Sequence, residues 1–263
     1  MVPICTGAGT MGTKPDTMSQ EDFDKEFRRE FRDGHHFTAI GPTGRGKSRR
    51  TYRCIRQVCS PERQVISLHG KIKGRDPVIP VAAKDCNLRV VRELPSAARQ
   101  RIDTRRGFHG YLLVPLVRPG VSADEENRVL REAYRPAIHG NYSQTKRKTI
   151  THINEAHQTQ VDLKLKSECE AVLMRGAPDN TMFSETQRGR YLSYHTYGAP
   201  EWMLIYYDDD RDNRKRYADF GCADPDEIEY LTSQLQTRQS KDGRTISQCL
   251  VLRRRGDMFI VDT

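Results

Sequence analysis

The sequence predicts an α/β fold: a mostly parallel central sheet covered by helices on both faces, with a short β-hairpin at the C-terminal end. Three observations carry this expectation. Short apolar runs of four to six residues recur along the chain with helical patterns between several of them, an alternation that marks a parallel, doubly covered sheet. The first run passes directly into a glycine-rich loop and then a helical pattern. Near the end, Gly256-Asp257 separates two apolar runs, which is a hairpin signal.

The elements follow in order. Residues 1–18 hold three Gly and two Pro and few large apolar groups, so they read as a flexible N-terminal arm. A helix starts at Ser19, whose side chain can cap free N–H groups, with Glu21 and Asp22 in the positive first turn. Phe23, Phe27 and Phe31 recur four residues apart, one stripe that packs on the domain. The strands expected next are His36–Ile40, Gln64–Leu68, Leu88–Val91, Tyr111–Val114, Thr149–Ile153, Thr181–Ser184 and Trp202–Tyr207. Helices are expected over Arg49–Val58, over Ser122–Ile138 behind the capping box of Ser122 and Glu125, and over Asp226–Leu235. The hairpin pairs Cys249–Leu252 with Met258–Val261. No repeat or linker divides residues 19–263, which read as one domain carrying an inserted basic segment at about 71–147.

Composition bounds the function. Of 263 residues 36% are hydrophobic, enough for a core, and 44 Lys and Arg against 35 Asp and Glu leave a net charge of +9. A polyanion is a plausible partner, and acidic-tail or collagen-like classes are excluded. No stretch reaches the ~20 apolar residues of a membrane span, and Met1–Cys5 does not start a signal peptide. Seven scattered cysteines without a CxxC point to reduced thiols and a cytoplasmic setting. His152 and His157 lack the further ligands that a structural zinc needs.

After the first strand stands Gly41-Pro42-Thr43-Gly44-Arg45-Gly46-Lys47-Ser48, which matches G-x-x-x-x-G-K-[ST] at every fixed position. The glycines let backbone N–H groups turn inward around phosphates, Lys47 supplies a charge to the β and γ phosphates, and the Ser48 hydroxyl ligates Mg²⁺. The following helix points its positive end at the same anion. This is a nucleotide-binding P-loop, and ATP with Mg²⁺ is its expected ligand. Hydrolysis needs a second site. The run Thr149–Ile153 ends in Asn154-Glu155, where Glu155 can orient and deprotonate water, while Asn154 offers a neutral carbonyl to the water shell of Mg²⁺. An ordinary strand end with a surface glutamate would read the same way. A third strand ends near Gln187, where a glutamine can sense the γ-phosphate through water and where an ordinary polar strand end would read the same way.

These elements in this order resemble the FtsK/HerA group of P-loop motor ATPases, which includes DNA translocases, conjugative ATPases and phage DNA-packaging ATPases. The resemblance rests on Gly41–Ser48, on Asn154-Glu155-Ala156-His157 where the group usually has Asp-Glu-Ala-His, and on Thr186-Gln187-Arg188. Gly198-Ala199-Pro200, the strand Trp202–Tyr207 and the charged segment Asp212–Phe220 extend it over roughly residues 35–222. It implies a RecA-like sheet in the order 5-1-4-3-2, with Thr181–Ser184 between the P-loop strand and the Glu155 strand and Gln187 beside Lys47 and Glu155. It also implies ATP hydrolysis coupled to movement of double-stranded DNA by a homo-oligomeric ring, a hexamer, with capsid or portal proteins as further partners and the host cytoplasm as the setting if the chain is viral. An arginine from the neighbouring subunit completes such a site; Arg175 is the first choice here and Arg188 the second. Asn154 in place of Asp implies weak Mg²⁺ binding or slow turnover.

A motor of this kind grips phosphates. The basic groups offered for that are Arg49, Arg50, Arg53 and Arg56, then Lys71, Lys73, Arg75, Arg89, Arg92, Arg99, Arg101, Arg105 and Arg106, then Arg211, Arg214, Lys215 and Arg216, and Arg253–Arg255. Two rivals remain open at this stage. One is a P-loop kinase of a small substrate; the other is an ATP-dependent assembly or export protein similar to the toxin-like ATPases of filamentous phages.

Overall fold

The order of the apolar runs decides the architecture, and a computed structural model describes it for residues 16–70, 78–143, 148–175, 179–187, 189–207, 225–239 and 245–262. Strands in chain order are β1 (Thr17–Ser19), β2 (His36–Ile40), β3 (Arg63–Leu68), β4 (Leu88–Val91), β5 (Gly110–Leu113), β6 (Lys148–Ile153), β7 (Asn180–Thr186), β8 (Pro200–Tyr206), β9 (Thr237–Gln239), β10 (Thr245–Ser247), β11 (Cys249–Arg253) and β12 (Met258–Asp262). The helices are α1 (Gln20–Glu30), α2 (Lys47–Val58), α3 (Val78–Asp85), α4 (Ala97–Arg105), α5 (Ala123–Ser143), α6 (Lys166–Arg175), α7 (Tyr194–Gly198) and α8 (Pro225–Ser233).

Ten strands form one sheet in the order β1-β12-β11-β8-β2-β7-β6-β3-β5-β4, and β9 and β10 pair separately. Its centre, β8-β2-β7-β6-β3, is the expected 5-1-4-3-2 arrangement with β2 as strand 1. From β8 to β4 every pairing is parallel. The predicted hairpin β11–β12 then joins antiparallel to β8. Two expectations need amendment at the edges. Thr17 and Met18, read as part of a loose arm, pair parallel to β12 in β1, because a strand at the sheet edge satisfies backbone groups that an arm leaves to water. The helix expected to stop at Ile138 runs through Pro136 to Ser143. Residues 1–15 and the charged segment 212–220 lie outside the described residues.

Period-2 alternation splits the core between the two sheet faces. Phe37, Ala39, Val65 and Leu204 pack with Phe23 and Phe27 of α1 and with Ile55 of α2. Ile40, Ile66, Leu68, Met203 and Ile205 pack with Leu130 and Tyr134 of α5 and with Cys169 and Val172 of α6. The α1 stripe forms because Ser19 caps the helix by accepting from the Asp22 N–H, and its Phe23, Phe27 and Phe31 are all buried. Phe27 lies edge-on to Trp202 with ring centroids 5.0 Å apart. Burial of each ring contributes about 2–3 kcal/mol, so α1 is fixed against the sheet rather than left for a ligand.

Candidate nucleotide site

The P-loop connects β2 to α2, and backbone geometry explains its glycines. Gly41 has φ +146°, and a Cβ there would stand 2.6 Å from Tyr206 Cβ, so only glycine fits between β2 and β8. Gly46 caps α2 in the left-handed region at φ +88°. Lys47 begins the helix, is buried, and donates to Gly41 O and, at 2.8 Å, to Pro42 O. Its ammonium is thereby held inside the loop, where the motif requires it. Pro42, Thr43, Gly44 and Arg45 form the rest of the curve, and Arg45 is pinned outside it, donating to Thr237 Oγ1 at 2.7 Å with its guanidinium 5.6 Å from the Tyr207 ring centre.

Because β7 lies between β2 and β6, three strand ends converge on this loop. Ser48 Oγ accepts from Asn154 Nδ2 at 3.1 Å and donates to Glu185 Oε2 at 2.6 Å. Glu155 Oε1 accepts from Thr186 Oγ1 at 3.0 Å, and the Gln187 backbone N–H also holds this carboxylate. Burial pushes the Glu155 carboxyl above its ordinary range, opposed by those hydrogen bonds and by the Lys47 ammonium. A raised carboxyl is better matched to accepting a proton near neutral pH. Gln187 reaches the P-loop itself, its Oε1 accepting from Thr43 Oγ1 at 2.7 Å. The structure thus brings Lys47, Ser48, Asn154, Glu155 and Gln187 together at one end of the sheet.

Arg175 is not in this group. It is exposed at the end of α6, which leads into the start of β7, whereas Glu185 and Gln187 stand at the far end of that strand. Six residue steps at ~3.3 Å separate the two ends, so within one chain Arg175 does not reach the P-loop. Arg188 lies outside the described residues.

Glu185 is the residue that sequence reasoning missed. The predicted strand stopped at Ser184, one position short, and attention passed to Gln187. The available signal was an acidic residue directly after the run Thr181–Ser184, at the end of a central strand, since charged groups are rarely fully buried without a partner. Behind Glu185 runs a buried hydrogen-bonded line. His152 Nε2 lies 2.8 Å from Glu185 Oε1, His152 Nδ1 lies 2.8 Å from Ser67 Oγ, and that hydroxyl lies 2.7 Å from Tyr52 OH.

Several arginines offered for DNA have other work. Arg50 is buried, donates to Cys249 Sγ, and lies over the Tyr206 ring. Arg53 pairs with Asp24. Arg89 and Arg99 converge on the buried Asp103. Arg253 is buried with its guanidinium 4.2 Å from the Trp202 ring centre. Arg49, Arg56, Arg92, Arg101, Arg105 and Arg106 are exposed. Lys71, Lys73, Arg75, Arg211, Arg214, Lys215 and Arg216 lie outside the described residues.

No helix among the described residues is long and apolar enough to cross a membrane. The sequence matches no family model and no curated protein. Solved structures do match. The genome-packaging NTPase B204 of Sulfolobus turreted icosahedral virus 2, in complex with sulfate, aligns over 88% of this chain and 98% of its own with a TM-score of 0.53 at 12% identity. The same protein in complex with AMPPCP aligns over 87% of this chain and 96% of its own with a TM-score of 0.50 at 14% identity. The cytoplasmic domain of the Type VII secretion ATPase EccC of Thermomonospora curvata aligns more loosely, over 88% of this chain and 25% of its own, with a TM-score of 0.49 at 11% identity. At such identities the likeness is one of fold alone: a mostly parallel sheet with helices on both faces, shared with these NTPases.

Proposed function

We propose that this chain is an ATP-hydrolysing motor that translocates or packages double-stranded DNA, working as a homo-oligomeric, hexameric ring in a cytoplasm, the host's if the chain is viral. The observation that carries the reading is the convergence of Glu155, Gln187 and Lys47 on one loop, held by strands in the order that this motor fold uses. Lys47 holds the β and γ phosphates. Glu155, anchored by Thr186 and by the Gln187 N–H, orients the attacking water and takes its proton. Gln187 links the γ-phosphate position to the loop through Thr43. Arg175 of one subunit is offered to the site of the next, and capsid or portal proteins are the further partners of a packaging machine.

The oxygens that meet at Ser48, its own hydroxyl and the Glu185 carboxylate, suit Mg²⁺, a hard cation. When bound with ATP, that ion supplies charge neutralisation on the phosphates. Two features support the whole reading: the packaging NTPase B204 shares the fold over nearly its full length, and exposed arginines remain available for a phosphate backbone.

The test is phosphate release by the purified protein. The rate should rise when double-stranded DNA is added and vanish in Lys47→Ala and Glu155→Gln. A rate indifferent to DNA, with a small molecule becoming phosphorylated instead, would sink the motor reading. Asn154→Asp belongs in the same series, where a faster rate would trace slow turnover to the neutral residue at 154.

A further inference from the structure

We infer that the carboxylate of the magnesium site comes from β7, as Glu185, and not from the end of β6, and that His152 positions it. The inference rests on the nucleotide-site reading above and adds residues to it.

The first observation is what Asn154 does. Its Nδ2 donates to Ser48 Oγ at 3.1 Å, so the atom facing the hydroxyl is a donor, which neither ligates a cation nor accepts from the cation's waters. Ser48 has one proton, and it goes the other way, to Glu185 Oε2 at 2.6 Å. The hydroxyl that a P-loop offers to Mg²⁺ therefore has an anionic neighbour, but that neighbour is on a different strand from the usual one. Register makes this possible. Ala39 pairs with Glu185 across β2 and β7, and Ile153 pairs with Ser184 across β6 and β7, so Glu185 stands level with the roots of both the P-loop and Asn154.

The second observation is burial without a full counter-charge. Glu185 is 0% exposed, and its side chain meets Ser48 and His152; no Lys or Arg among the described residues forms an ion pair with it. The line behind it can be satisfied with a neutral ring: Tyr52 OH donates to Ser67, Ser67 donates to His152 Nδ1, and His152 Nε2–H donates to Glu185 Oε1. Each donor then has an acceptor. A buried anion with hydroxyl and imidazole partners alone is a costly arrangement unless a cation joins it. It is also the arrangement that holds metal-ligating carboxylates in place, since outer hydrogen bonds fix their orientation. The ring edge is held in turn by Tyr52, whose ring centre lies 4.8 Å from that of His152. Glu185 thus has one oxygen fixed by His152 and the other beside Ser48.

The experiment is Mn²⁺ binding, read by electron paramagnetic resonance, to the full chain saturated with AMPPCP. Glu185→Gln should weaken Mn²⁺ binding at least about tenfold, while metal-free nucleotide affinity stays within about threefold of the parent. Adding Asn154→Asp to Glu185→Gln should restore most of the loss, because it returns a carboxylate to the same hydroxyl. His152→Gln should fall between the two and change the Mn²⁺ line shape. If Glu185→Gln does not fold, Glu185→Asp, which withdraws the oxygens by one methylene, should weaken the metal in the same sense. Mn²⁺ affinity within twofold of the parent in the folded glutamine or aspartate variant would overturn the inference, and so would a larger loss in Asn154→Ala than at position 185. If the parent chain shows no Lys47-dependent nucleotide binding, the nucleotide-site reading fails first and takes this inference with it.

Discussion

Thr43 Oγ1 donates to Gln187 Oε1 at 2.7 Å, joining the outer curve of the P-loop to the residue that follows β7. The same stretch of chain holds Glu155 through the Thr186 hydroxyl and the Gln187 N–H. The P-loop and the Glu155 carboxylate are therefore both tied to the short stretch Thr186-Gln187. Gln187→Ala should lower kcat for ATP hydrolysis by roughly 100-fold, the order found for loss of a preorganised donor. Thr43→Val removes one neutral hydrogen bond, and a cost near 1 kcal/mol corresponds to about fivefold. In both variants KM for ATP should change less than kcat. A KM effect that exceeds the kcat effect would mean that the pair serves binding alone.

The two glycines Gly41 and Gly44 should differ sharply as alanines. At Gly41 a Cβ meets Tyr206 at 2.6 Å with φ at +146°, whereas at Gly44 it meets nothing within 4 Å and only the φ of +79° is unfavourable. Gly41→Ala should cost about 3 kcal/mol from clash and strain together, and Gly44→Ala about 1 kcal/mol. Thermal melting in the absence of nucleotide separates them, and equal losses would show that Tyr206 gives way.

His36 makes stability depend on pH. Burial lowers its pKa from 6.5 to about 4, and its ring accepts at Nδ1 from the Met182 N–H while Nε2 meets Leu173 O at 3.1 Å. A folded pKa below the unfolded one means that the unfolded chain binds the extra proton. The stabilisation is thus complete above pH 6.5 and is lost as pH falls toward 4, on the order of 3 kcal/mol if the full shift is realised. Half-buried His35 is lowered in the same sense, also by burial. His36→Gln should flatten the fall of Tm between pH 6.5 and 4.5, and an unchanged slope would assign the effect elsewhere.

Arginines on this chain should sort into two classes. Arg105 and Arg106 are exposed, so their double alanine variant should leave Tm nearly unchanged and reduce the salt slope of DNA binding by about two. Arg253 lies against Trp202 and faces Glu26, Glu30 and Asp257 at 3.5–3.8 Å. Arg253→Ala should cost about 3 kcal/mol with the salt slope intact. A melting loss in the first variant, or a changed slope in the second, would contradict the assignment.

Much of this was written locally. The P-loop, the α1 stripe with its Ser19 cap, the central strands and the hairpin around Gly256 each depend on residues close together in the chain, where capping, glycine conformations and period-2 burial act directly. Glu155 was legible for the same reason, as an acid at the end of an apolar run. Other features depend on which strands become neighbours. Insertion of β7 between β2 and β6 carries Glu185 to Ser48, Gln187 to Thr43 and Thr186 to Glu155, partners more than thirty residues apart in the chain. Burial likewise sorted Arg50 and Arg253 from Arg105 and Arg106, which the sequence presents as equal positive charges. Local rules specify what a segment can form; register and burial specify which groups meet, because a hydrogen bond or a desolvated charge belongs to a pair of positions and not to either one.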